Sequence, residues 1–156
     1  QPALGFPSLR FAWSAEYHGS MSFRFSIQQP VRWKDIDAAG LLNNAVYFTF
    51  VEQARYGYFQ ELGLLEGHAD FAFVLGETTA RYLAPGRAGM QLTIKLRTAR
   101  LGNKSFDQEY EVWHADTQLA AVTARLVWCD AELKTCPIPD LVRQRIAAFE
   151  GIPERA

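Results

Sequence analysis

Within ten residues, Asp35-Ile36-Asp37-Ala38-Ala39-Gly40-Leu41-Leu42-Asn43-Asn44, the chain gathers two carboxylates, a glycine and two asparagines. An apolar run at helical spacing follows at once. In a connecting segment such residues ordinarily cap helices or close turns. The spacing also permits chemistry. Asp37 stands seven residues before Asn44, the expected N-cap, so its carboxylate can fold back toward the positive end of the helix. Backbone N–H groups at a helix start can hold a developing oxyanion, and a carboxylate facing them across a small gap makes a hydrolytic site.

Other chemistries fit less well. The segment from Asp35 imitates a calcium loop, with acids first and third and Gly40 sixth, but Ala39 and Val46 occupy the fifth and twelfth positions, where ligands are required. His18, His68 and His114 share no metal-ligand spacing and read as surface or half-buried residues. There is no G-x-S-x-G elbow, phosphate loop or dinucleotide fingerprint. Cys129 and Cys136 are too far apart for a C-x-x-C pair and read as reduced structural thiols, which places the chain in the cytoplasm. The chain begins at Gln1 rather than Met, as trimming or removal of a signal peptide would leave it. A net charge of −1 argues against a nucleic-acid partner, and no apolar run is long enough to span a membrane.

The elements that must position the loop are legible from periodicity. At 156 residues the chain reads as one domain spanning 21–150, with an irregular arm at 1–20 and a tail at 151–156. Phe23, Phe25, Ile27, Val31 and Trp33 alternate with Arg24, Ser26, Gln28 and Arg32, which predicts a half-buried strand, at an edge or bulged at Pro30. From Ala45 to Leu62 the period becomes helical. Tyr47, Phe50, Val51, Ala54, Tyr58 and Leu62 share one side, Phe48 and Phe59 widen it, and Gly63 stops the helix. Glu52 and Arg55, at i,i+3, read as a helix ion pair. Strands follow at Phe71 to Leu83 (interrupted at Gly76), around Leu92, Ile94 and Leu96, around Phe106, Tyr110 and Val112, and from Leu119 to Trp128. A hairpin turn is expected at Leu101-Gly102-Asn103-Lys104, and a short helix at about Asp140 to Phe149. A helix this apolar must be enclosed, so the expected architecture is α+β, a curled antiparallel sheet of about five strands wrapped around a long central helix. That order is the pattern of the hotdog fold.

The segment Val31-Arg32-Trp33-Lys34-Asp35-Ile36-Asp37-Ala38-Ala39-Gly40-Leu41-Leu42-Asn43-Asn44-Ala45-Val46-Tyr47 resembles the signature of hotdog-fold acyl-CoA thioesterases, a group that includes 4-hydroxybenzoyl-CoA thioesterase and bacterial long-chain acyl-CoA thioesterases. Arg81-Tyr82-Leu83-Ala84-Pro85 and Asn103-Lys104-Ser105-Phe106 also fall where that family has similar residues, so the resemblance covers about Phe23 to Asp130. It implies that Asp37 is the catalytic carboxylate, attacking the thioester carbonyl or activating water, with Asn43 and Asn44 beside it. Backbone N–H groups around Asn44 and Ala45 would hold the thioester oxygen, and Leu41, Ala45, Tyr47 and Lys104 would meet the substrate, Lys104 at a coenzyme A phosphate. Asp35 would shape the turn, and Glu52 is a second carboxylate candidate, since some members use a helix glutamate. Leu41 stands where the long-chain branch carries His, and the aromatic-acyl branch generally lacks the Asn43-Asn44 pair. The resemblance further implies a homodimer, or a tetramer of such dimers, with no metal and no cofactor; coenzyme A enters only as part of the substrate. Two rivals share the fold. An enoyl-CoA hydratase pairs Asp with a His five residues later, where this chain has Gly40 and Leu42. A non-catalytic acyl-binding or assembly protein is the other.

Overall fold

Among the described residues five strands and two helices follow one another: β1 (Phe25–Pro30), α1 (Val46–Glu61), β2 (Phe73–Tyr82), β3 (Gln91–Leu101), β4 (Ser105–His114), β5 (Thr117–Trp128) and α2 (Asp140–Glu150). The computed structural model describes residues 22–65 and 72–153. The expected arm at 1–20, the last half of the tail, His18, His68 and the start of the second strand at Phe71 lie outside them.

The strands form one antiparallel sheet in the order β1-β3-β4-β5-β2, with α1 against its inner face. Alternation decides which side chains turn inward. β3 buries Leu92, Ile94 and Leu96, β4 buries Phe106, Tyr110 and Val112, and β5 buries Ala120, Val122, Ala124, Leu126 and Trp128. α1 meets them with Tyr47, Phe50, Val51, Ala54, Tyr58 and Phe59, all nearly inaccessible. Each large side chain so buried stabilises the fold by roughly 2–3 kcal/mol before entropy is counted. The enclosed helix and the five-stranded curled sheet are those the periodicity predicts. Gly63 ends α1 with φ at +65°, and the register of β2 against β5 shifts between Leu75 and Glu77, at Gly76.

Three local expectations give way to tertiary structure. β1 stops at Pro30, and Trp33 is not an inward strand residue: it opens a short 3₁₀ turn over Trp33–Asp35 and is 85% exposed. The N-cap position of α1 is Ala45, not Asn44. Arg55 forms no ion pair with Glu52. It is buried, and its Nε donates to Tyr110 Oη at 2.9 Å.

That bond opens a buried polar chain. Tyr110 Oη donates to Gln108 Oε1 (2.6 Å), Gln108 Nε2 to Thr98 Oγ1 (3.4 Å), Thr98 Oγ1 to Tyr58 Oη (3.0 Å) and Tyr58 Oη to Glu150 Oε1 (2.7 Å). Glu150 Oε1 also accepts the Thr98 N–H at 2.8 Å. α1, β3, β4 and α2 are thereby joined across the core, and no buried side-chain nitrogen or oxygen among the described residues is left without a partner. Burial pushes the Tyr110 hydroxyl up to about 12 despite the nearby Arg55 charge.

Candidate active site

The loop between β1 and α1 is tied down at both ends. Asp35 is buried; its Oδ2 accepts the Arg32 N–H (2.9 Å) and Nε (3.0 Å), and its Oδ1 accepts Arg32 Nη2 (3.2 Å). Burial by itself would raise the Asp35 pKa, but the hydrogen bonds and charge of Arg32 prevail and hold it below the usual carboxylate range. Asp35 thus shapes the turn, as its position suggested. Beyond it, the Asn43 N–H donates to Asp35 O and the Leu42 N–H to Gly86 O, each at 2.9 Å. A Cβ on Gly86 would stand 2.8 Å from Leu42 Cβ, so this close approach requires glycine.

Between these anchors Asp37 is half-buried. Its Oδ1 accepts the N–H groups of Ala39 (2.9 Å) and Leu41 (3.2 Å), while its own N–H and C=O bond Leu41 O and the Gly40 N–H. Among the described residues nothing donates to Oδ2. One carboxylate oxygen is therefore aimed by the loop and the other is open. Gly40, with φ at +77°, closes the turn that brings the two N–H groups onto Oδ1.

Just before the helix Asn43 closes a turn: its Oδ1 accepts the Ala45 N–H at 2.9 Å, and its C=O accepts the Val46 N–H at 3.0 Å. The Asn44 N–H bonds no described group, and the Asn44 side chain is exposed. The Asn44 carbonyl is fixed by Tyr82 Oη at 2.8 Å, from the last residue of β2. The Tyr82 ring meets that of buried Tyr47 edge-on at 5.2 Å. Burial raises both hydroxyl pKa values, so both remain neutral at ordinary pH. Leu41 is half-buried and Ala45 exposed at this end of α1. Tyr82 and Gly86 lie within or beside the Arg81–Pro85 motif, yet nothing in their spacing announced a contact with the loop.

Lys104 does not join this group within one chain. It sits exposed in the β3–β4 hairpin, at the end of β3 opposite the loop, and β3 spans roughly 33 Å. The hairpin is held by Arg143 Nη2, which donates to the carbonyls of Gly102 and Asn103. Among the described residues no three His, Cys, Asp or Glu side chains are placed to hold a metal ion, and no helix is long and apolar enough to cross a membrane.

A family model described as the thioesterase-like superfamily matches residues 31–146. The acyl-acyl carrier protein thioesterase ATL3 of Arabidopsis thaliana is 23% identical over 134 residues, 83% of this chain and 70% of its own length. The acyl-CoA thioester hydrolase YbgC of Escherichia coli is 28% identical over 120 residues, 74% of this chain and 87% of its own. Among solved structures, a thioesterase from Thermus thermophilus, complexed with coenzyme A and Zn, matches with a TM-score of 0.78 and 32% identity across 85% of this chain and 98% of that one. The 1,4-dihydroxy-2-naphthoyl-CoA thioesterase of Synechocystis has the same fold, with a TM-score of 0.71 at 22% identity over 79% of this chain and 95% of its own.

Proposed function

This chain belongs to the thioesterase-like superfamily, and from that premise we propose that it hydrolyses an acyl-CoA thioester to the free acid and coenzyme A. The observation that carries this reading is the Asp37 carboxylate, with Oδ1 held by two loop N–H groups and Oδ2 open, on the loop that leads into a helix start whose Asn44 N–H is unclaimed. Oδ2 attacks the thioester carbonyl or takes a proton from the attacking water. The Asn44 N–H and the positive end of α1 stabilise the oxyanion, since the Ala45 N–H is already occupied by Asn43. When the carbonyl re-forms, the carbon–sulfur bond breaks and coenzyme A leaves as the thiolate; where Asp37 is the nucleophile, water then opens the resulting anhydride, which releases the free acid and restores the carboxylate. Carboxylate, water and backbone donors supply every step, so the reaction needs no cofactor.

The site is shared between two copies of the chain. β2 is an edge strand carrying exposed Val74 and Leu75, an open ladder suited to pairing with its own copy. Tyr82 and Gly86 lie at the loop end of β2; Phe73 lies at the other, next to Trp128, whose N–H donates to Lys104 O. Two β2 strands paired about a two-fold axis run antiparallel, which brings the partner subunit's Lys104 to the Asp37 end. A basic residue there meets coenzyme A phosphate, and the acyl group enters between the subunits along Leu41 and Tyr47.

A panel of straight-chain and aromatic acyl-CoA esters, read by thiol release, tests the proposal. Turnover of at least one class is expected. Tight binding of every ester without release of thiol would overturn it.

A further inference from the structure

Trp33 has the greatest fractional exposure of the large apolar side chains among the described residues, at 85%. The backbone beneath it is fixed. The Asp35 N–H donates to Arg32 O, the Ile36 N–H to Trp33 O, and the Asp35 carboxylate clamps Arg32 from the other side. A flat aromatic face is therefore presented to solvent on a turn that has little freedom left to lose.

Two cations stand on neighbouring backbone. Lys34 is the next residue, and Arg87 lies on the segment that pairs with Val31, where the Val31 N–H donates to Met90 O and the Gly89 N–H to Val31 O, each at 2.9 Å. Both are exposed, and neither forms an ion pair among the described residues. Arg32, by contrast, is held by Asp35. The four residues from Trp33 to Asp37 span at most about 14 Å, within reach of a pantetheine arm.

We propose that Trp33 is the platform on which the adenine of coenzyme A stacks, with Lys34 and Arg87 meeting the 3′-phosphate beside that base and the partner subunit's Lys104 left to the diphosphate. The inference rests on the thioesterase reading above and sharpens it: this end of the site selects thioesters carried on the nucleotide over those carried on a protein. An acyl chain supplies no anion for the two cations. A carrier protein engages a broad surface rather than one ring, whereas a base stacks on a single aromatic face with a phosphate beside it.

The test is calorimetric titration of coenzyme A and of pantetheine, which lacks the nucleotide, into the wild-type protein and into Trp33→Ala and Trp33→Phe, with sedimentation of each. Trp33→Ala is expected to weaken coenzyme A about tenfold or more, as loss of one base–aromatic stack does. Pantetheine binding and the sedimentation coefficient should not change, and Trp33→Phe, which keeps a ring face, should fall between. In turnover, KM for an acyl-CoA should rise with kcat unchanged. Equal weakening of pantetheine, a change of oligomeric state, or loss confined to a carrier-protein thioester would each overturn the assignment. Failure of the thioesterase reading looks different: the wild-type protein would bind coenzyme A yet release no thiol from any ester.

Discussion

Replacing Asp37 by Asn separates charge from shape. The Asn Oδ1 accepts the same two N–H groups, from Ala39 at 2.9 Å and Leu41 at 3.2 Å, so the loop keeps its path. Both bonds pass from charge-assisted to neutral, a loss of about 1 kcal/mol of stability. What disappears is the open carboxylate oxygen. Without a nucleophile or base, turnover should fall by about 10²–10⁴, a rise of roughly 3–5 kcal/mol in the barrier. KM should hold, because no substrate contact is removed. Thiol release under saturating acyl-CoA gives the rate, and a thermal melt of the same sample gives the stability. Glu52→Gln, on the exposed face of α1, should leave both unchanged. Asp35→Asn should lower melting temperature and rate together, since it loosens the Arg32 clamp. Near-normal turnover in Asp37→Asn, with activity abolished by Glu52→Gln, would refute the assignment.

Leu75→Lys places a charge on the β2 edge and should convert dimer to monomer with parallel loss of activity; light scattering showing a fully active monomer would remove the shared site. Lys104→Ala should raise KM several-fold more than it lowers kcat, and added salt should imitate it in the wild type; an unchanged KM would exclude Lys104 from the site. On the outer sheet face, burial opposes ionisation of Asp107, but hydrogen bonds and charge from Arg100 and Arg125 hold its pKa at about 2. A depressed carboxylate pKa gives stability that is present above the unfolded value, near 4, and is lost as pH falls toward 2. Asp107→Asn should therefore destabilise at pH 7, by about 1 kcal/mol or less once screening by solvent is counted, and hardly at all near pH 2, as denaturant titrations at the two pH values would show.

What the sequence made legible was most of what depends on period. The inward faces of β3, β4 and β5 and the enclosed stripe of α1 follow from alternation and helical spacing alone. The loop was legible because its residue types are crowded. What escaped depends on contacts distant in the chain. Gln108 occupies an inward position between Phe106 and Tyr110, and Arg55 adjoins the apolar stripe, yet polarity argued for solvent until their partners were known. Asn44 does not cap α1 because the chain enters it through a turn at Asn43, whose Oδ1 takes the Ala45 N–H and leaves Ala45 at the N-cap position. Trp33 fitted the alternation of β1, but the Asp35 clamp on Arg32 bends the chain into a 3₁₀ turn and swings the indole outward.

The buried chain from Arg55 to Glu150 bears on the order in which the molecule assembles. Tyr58 and Glu150 are separated by 92 residues and Thr98 and Glu150 by 52, so these bonds tie the last helix to elements laid down far earlier in the chain. Until α2 docks, a nearly finished core carries a hydroxyl and a backbone N–H facing an empty berth, which favours opening over closure. α2 thus supplies the one carboxylate that satisfies both groups. Contacts spanning this much sequence slow folding.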